Sequence, residues 1–195
     1  MSLFERIDDA RRRWDVLRHP FYLRWERGEL SRGELAFYAG EYRHAVTALA
    51  RAAEASGDAA HAREEAEHLG LWDDFAAALG APLDREPTEG TRACAEAWSR
   101  DDRDEALAVL YAVESGQPAI SETKLRGLVA HYGFEPESPG TRYFALHAER
   151  DAEHARSARE ALEAAAPADE DPLVAAAERA LEANWALLDG VARAA

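Results

Sequence analysis

The octapeptide HAREEAEH at residues 61–68 returns almost unchanged as HAERDAEH at residues 147–154. Reduced to their polar essentials, both copies read His-x3-carboxylate-x2-His: His61, Glu65 and His68 in the first, His147, Asp151 and His154 in the second. In a helix, positions i, i+4 and i+7 fall within a sector of roughly 60°, so each triplet projects from one side. The same side carries Leu71, Trp72, Phe75 and Leu79 after the first triplet, and Tyr143, Ala158 and Ala161 around the second. A fold for this chain must therefore accept two helices whose buried stripes bear imidazoles and carboxylates. Buried charge of that kind is costly unless a partner or a metal takes it up.

The rest of the chain is helical as well, because the apolar period is that of a helix throughout and no segment alternates as a strand would. A first helix is expected over Leu3–Leu17, ended by His19-Pro20, and a short helical stretch, FYLRWERGEL, follows. Ser31 and Glu34 form a capping box that opens a helix to Ser56. Gly57-Asp58 resets the chain, and the helix carrying the first octapeptide runs to Gly80. After the loop PLDREPTEGT come a helix with Cys94 and Trp98, and another from Asp104 that Pro118 breaks or kinks. The chain resumes helix to Gly133, passes through the irregular FEPESPG, and continues in the helix of the second octapeptide, Thr141–Ala165. A last amphipathic helix occupies Leu173–Ala192. The expectation is an all-α bundle of seven or eight helices in one domain, residues 1–195. Hydrophobic residues at 47%, rich in Ala and Leu, agree with a helical globular protein.

Charge and cysteine content narrow the function classes. A formal net charge of −15 disfavours nucleic acid or an anionic membrane as partner, since both call for a basic surface. Cys94 is the only cysteine, which excludes an intramolecular disulfide framework and a cysteine-rich zinc site. The N-terminus has no apolar signal core and no run reaches the length of a membrane span, so a cytoplasmic protein is expected.

Imidazoles and carboxylates converging from two helices inside a bundle describe a dinuclear iron or manganese site. One octapeptide alone would serve as a solvated helix face; two, each on an apolar stripe, fit that description poorly. Neither copy is His-Glu-x-x-His, so a zinc-protease helix is excluded. A dimetal site also needs a bridging carboxylate from elsewhere, and Glu114, in the apolar run LYAVESGQP, is the candidate.

The segments HPFYLRWERGELSRGELAFYAGEY, HLGLWDDFAAALG, LYAVESGQPAISETKLRGLVAHYGF and TRYFALHAERDAEHA together resemble the haem-oxygenase-like dimetal oxidase superfamily, whose fold is also that of TenA- and PqqC-like proteins. Within it they are most similar to the p-aminobenzoate synthase branch. The resemblance implies a haem-oxygenase-like bundle holding two transition-metal ions, Fe/Fe or Mn/Fe, with O2 as co-substrate and an external reductant. It also implies metal ligands at His68, Glu114, His147, Asp151 and His154. One family ligand departs: where the family places a Glu seven residues before the first His, this chain has His61. His61 with Glu65 reproduces the geometry of the second octapeptide, and Glu64 is the alternative. On that view one metal leans on each octapeptide.

Lys124 is the only lysine among 23 basic residues. An arginine would serve for charge but cannot act as a nucleophile or give up nitrogen at neutral pH. The resemblance implies that Lys124 donates an amino group, that Tyr22 is the ring precursor of the product, and that Tyr38 matches a second tyrosine near the site. A third family tyrosine is replaced by Val113. The leading expectation is thus an O2-activating oxidase or oxygenase, with self-sacrificing p-aminobenzoate formation, a step of folate biosynthesis, as its specific form. N-oxygenation or oxidative cleavage of an amino-acid-like small molecule is the alternative. A metal-free thiaminase of related fold would require Cys94 as nucleophile, and Cys94 falls outside the expected site. A non-enzymatic interaction protein would not need six or seven convergent ligands. The resemblance also leaves room for a homodimer.

Overall fold

In the computed structural model, which describes residues 1–194, nine α-helices and one 3-10 turn follow each other with no strand among the described residues. They are α1 (Leu3–Arg13), the 3-10 turn Val16–Arg18, α2 (Pro20–Glu26), α3 (Arg32–Ser56), α4 (Ala59–Leu79), α5 (Glu89–Trp98), α6 (Arg103–Glu114), α7 (Gln117–His131), α8 (Pro139–Ala165) and α9 (Asp171–Ala194). The all-α expectation holds, with one more helix than the seven or eight expected. Pro118 sits in the first turn of α7, where its missing N–H costs nothing, so the expected break separates two complete helices. The first helix stops at Arg13 rather than Leu17. Trp14 leaves helical geometry, and the Asp15 carboxylate accepts from the Leu17 N–H to start the 3-10 turn.

The long helix α3 packs against α4, α5 and α6; α8 packs against α4, α6 and α7; and α9 closes the bundle against α1, α5 and α6. A continuous core runs from Leu3 to Val191, with Trp25, Trp72 and Trp98 fully buried in it. Two junctions position the site. Gly57, at φ 83°, ends α3 in the left-handed conformation that glycine adopts without strain, and Asp58 immediately caps α4 by accepting from the backbone of Ala60 and His61. The first octapeptide therefore begins in the opening turn of α4. Gly127 lies so close to Trp25 that a Cβ there would approach the indole to 2.7 Å. That closeness seats α2 on α7, where the Trp25 indole N–H donates to the Lys124 carbonyl at 3.1 Å.

Candidate dimetal centre

Three helices deliver the cluster. α4 carries His61, Glu65 and His68, α6 ends on Glu114, and α8 carries His147, Asp151 and His154; all seven are buried. The helical spacing of each octapeptide places its three polar residues inward, as the 60° sector requires.

The two copies do not each form a separate half. The imidazoles of His61 and His154 lie 4.2 Å apart between ring centroids, and those of His68 and His147 lie 4.5 Å apart. Position i of one helix is thus level with position i+7 of the other, which is the signature of antiparallel packing. His61, Glu65, Glu114 and His154 form one group of converging ligand atoms, and Glu65, His68 and His147 form a second. The expectation of one metal per octapeptide is corrected accordingly: each group draws one histidine from each copy. The expectation that Glu114 bridges is revised too. Glu65 lies between His61 and His68 on the same face of α4 and belongs to both groups, whereas Glu114 stands with His61 and His154.

Close approaches tie the groups together. Glu114 Oε1 is 2.9 Å from His61 Nε2, and Glu65 Oε1 is 2.9 Å from His68 Nδ1, 3.8 Å from His61 Nε2 and 4.0 Å from His154 Nδ1. Asp151 Oδ1 is 3.8 Å from His154 Nδ1. Yet each of the seven residues keeps at least one buried nitrogen or oxygen without a properly directed hydrogen bond, including both carboxylate oxygens of Glu114 and of Asp151. Buried polar atoms are normally satisfied, and atoms that converge without hydrogen-bonding one another are arranged as ligands around a cation are. The donor set of imidazole and carboxylate suits iron or manganese.

The electrostatics agree. Burial pushes the Glu114 carboxyl well above its usual range, aided by Glu65, and pushes Asp151 up to about 10, aided by Glu114 and Glu65. Burial also lowers the His147 imidazole to about 4. Glu65 is the exception: burial raises it, but His68, His147 and His61 outweigh that and hold it below its ordinary value. Burial thus favours the protonated carboxyls of Glu114 and Asp151 and the neutral imidazole of His147; divalent ions would remove the need for those protons.

Outer contacts orient two of the histidines. His147 directs Nδ1 at the Tyr143 carbonyl at 2.7 Å, leaving Nε2 for the cluster. His154 does the reverse, with Nε2 on Glu64 Oε2 at 3.0 Å and Nδ1 facing Glu65 and Asp151. Glu64 also accepts from Arg150 at 3.2 Å. Its side chain is 37% exposed against 1% for Glu65. Glu64 therefore stands at the rim behind His154, and the structure brings His61 and Glu65, not Glu64, into the cluster.

Lys124, Tyr22 and Tyr38 come together in a second buried site. Lys124 Nζ donates to Tyr38 Oη at 2.7 Å, and Tyr38 Oη shares a 2.9 Å hydrogen bond with Tyr22 Oη. Nζ lies 4.7 Å from the ring centres of both Tyr22 and Tyr42, and no carboxylate pairs with it among the described residues. Burial alone lowers its pKa well below the ordinary lysine value, while burial aided by Tyr22 and Tyr42 raises that of Tyr38.

Sequence reasoning missed what joins the two sites. Tyr38 contacts Trp72 at 6.0 Å between ring centroids, Trp72 contacts Tyr143 at 4.8 Å, and Tyr143 stacks on His147 at 3.9 Å and 26°. The signal was present, since Tyr143 lies four residues before His147 on its stripe, but aromatics on a buried stripe read as core by default. Cys94 is fully buried, and burial pushes its thiol up, away from the thiolate a nucleophile requires. No helix among the described residues is long and apolar enough to cross a membrane.

Residues 37–185 match the family model described as iron-containing redox enzyme. The chain is 30% identical to a 4-aminobenzoate synthase of Chlamydia muridarum over 97% of its own length and 89% of the relative's. It is also 30% identical to a protein of the same name from Nitrosomonas europaea, over 96% and 89%. Among solved structures it superposes on a TenA homologue from Pseudomonas syringae with a TM-score of 0.80 at 19% identity, covering 98% and 91% of the two chains. A haem-oxygenase-like domain of unknown function from Shewanella denitrificans gives 0.78 at 21% identity, covering 99% and 93%.

Proposed function

Because this chain belongs to the family of iron-containing redox enzymes with a haem-oxygenase-like fold, we propose that it is a dimetal oxidase that builds 4-aminobenzoate from its own Tyr22 and Lys124. His61, Glu114 and His154 would hold one metal and His68 and His147 the other, with Glu65 common to both and Asp151 beside His154. A reduced Fe/Fe or Mn/Fe pair there would supply the electrons that activate O2, with an external reductant restoring them.

The observation that carries the reading is the state of Lys124. Its 3% exposure, the aromatic rings around it and the lack of a carboxylate within reach all favour the neutral amine over the ammonium. In that form Nζ donates one hydrogen bond to Tyr38 and keeps a lone pair, which is what a nitrogen donor needs. Tyr22 is poised beside it, sharing its hydroxyl hydrogen bond with Tyr38 and presenting its ring to the amine. The series Tyr38, Trp72, Tyr143 and His147, in edge-to-face contact as far as Tyr143 and stacked from there to His147, offers a continuous aromatic route for electrons leaving Tyr22 toward the metals. Burial of the whole cage excludes water that would otherwise compete with the amine. The shared name of the two 30%-identical relatives supports the same product.

The test uses two substitutions that leave the ligand cluster untouched. Lys124→Arg keeps a long hydrogen-bonding basic side chain and removes the nitrogen chemistry, and Tyr22→Phe removes the phenol. Both are expected to retain metal and to yield no 4-aminobenzoate after anaerobic iron loading and exposure to O2. Sustained turnover of an added amino-acid-like substrate by Lys124→Arg protein would instead favour an ordinary oxygenase acting on a small molecule.

A further inference from the structure

A cavity of about 260 Å³ lies between the end of α1, the α6–α7 junction and α9. That is close to the lower limit of roughly 300–1,000 Å³ for drug-sized pockets, and so on the scale of one substituted ring. Val16, Leu17, Val113, Ile120 and Leu181 supply apolar walls. Four other lining residues each keep a buried side-chain atom without a hydrogen-bond partner: Nε of Arg11, Nε1 of Trp14, Oε1 of Gln117 and Oδ1 of Asn184. Gln117 and Asn184 are themselves more than nine-tenths buried. Each such atom is costly to leave unsatisfied, and four around one small cavity point to a polar occupant.

The four divide by chemistry. The donors, Arg11 and Trp14, come from the end of α1; the acceptors, Gln117 and Asn184, come from α7 and α9. Of the charged residues lining the cavity, Arg11 and Arg12 outnumber Asp15, whose carboxylate is already engaged by the Leu17 N–H. Arg11 is also held by Asp8 and the Ser115 carbonyl, and Arg12 pairs with Asp9. We propose that this cavity binds an aromatic carboxylate bearing an amine, its acid group accepting from Arg11 and Trp14, its ring between the apolar walls, and its amine donating to Gln117 and Asn184.

The placement connects this cavity to the chemistry, and its assignment as a product site rests on the synthase reading above. Val113 and Gln117 line it while Glu114, between them in sequence, belongs to the ligand cluster. Gln117 also reaches the hydroxyl of Tyr42, one of the rings around Lys124. A 4-aminobenzoate leaving the aromatic cage along Gln117 would arrive in this cavity, apart from the metals.

Calorimetric titration of 4-aminobenzoate into the metal-free 195-residue protein tests the site without any turnover. One saturable site per chain is expected. Benzoate and aniline, which each satisfy only one of the two polar walls, should bind at least about tenfold more weakly. Asn184→Leu, which removes an acceptor at similar volume, and Leu181→Trp, which fills the cavity, should each weaken 4-aminobenzoate by about tenfold or more. No saturable binding to the wild-type protein, equal binding of all three probes, or two folded variants that bind like wild type would overturn the proposal. The wild-type comparison of the three probes stands even where a variant fails to fold. Binding without 4-aminobenzoate production would refute the synthase reading and leave the site; production without binding would refute the site alone.

Discussion

The cross-helix pairing of histidines can be tested by counting metals in double variants. With antiparallel α4 and α8, His61 and His154 serve one group while His68 and His147 serve the other, the two histidines of one helix being separated by about 10.5 Å of rise. Loss of an outer partner alone typically weakens a metal site by about 10–100-fold, so removal of an inner imidazole should cost more than about 100-fold and empty that position at micromolar metal. Each single His→Ala variant should then bind about one ion where wild type binds about two. The doubles discriminate. His61→Ala with His154→Ala damages a single position and should still hold about one ion, whereas His61→Ala with His68→Ala damages both positions and should hold almost none. Elemental analysis after anaerobic iron loading and desalting reads the count, and circular dichroism checks that helix content is unchanged. If the His61/His154 double loses both ions while the His61/His68 double keeps one, each octapeptide holds its own metal and the pairing described here is wrong.

Two further outcomes follow from the geometry. Glu64→Ala should keep both metals yet weaken the position served by His154 by about 10–100-fold, because Glu64 fixes the His154 ring from behind; complete loss of one ion would make Glu64 a ligand. Lys124 should leave a trace in the pH dependence of stability. Burial holds its folded pKa well below the ordinary value of 10.5, so the unfolded chain binds the proton first and wild-type stability rises with pH between the folded and unfolded values. Lys124→Met abolishes that term. Its advantage over wild type in urea unfolding of metal-free protein should therefore shrink by up to about 1.4 kcal/mol per pH unit from pH 7 toward 10; a constant difference would mean that Lys124 is charged in the folded state.

Much of the fold was legible because it depends on local periodicity. The capping box of Ser31 and Glu34, the Gly57-Asp58 reset and the break at Pro118 are written in neighbouring residues, and the structure has all three. The early stop of α1 was not legible, since it depends on how Trp14 turns away and how Asp15 caps the next turn. Inside the site, spacing was enough to place each triplet on one face. It could not decide between Glu64 and Glu65, which are adjacent and each within one turn of His68; that choice is made by α8, where Arg150 and His154 draw Glu64 to the rim. Nor could it reveal which histidines pair, because repeat order along the chain carries no information about the relative direction of two packed helices. The contacts of Tyr143 and Trp72 with both sites escaped for a related reason: they are made by tertiary packing, and composition alone marks both residues as core.

The central claim is that the protein spends its own side chains. Wild-type protein loaded anaerobically with iron, or with manganese and iron, and supplied with reductant and O2 should release no more than about one 4-aminobenzoate per chain, because a cleaved tyrosine is not replaced. Peptide mass mapping of the same sample should show the segment containing Tyr22 altered in proportion to the product formed. Several equivalents of product per chain, or full O2 consumption with an unaltered Tyr22 peptide, would contradict the account.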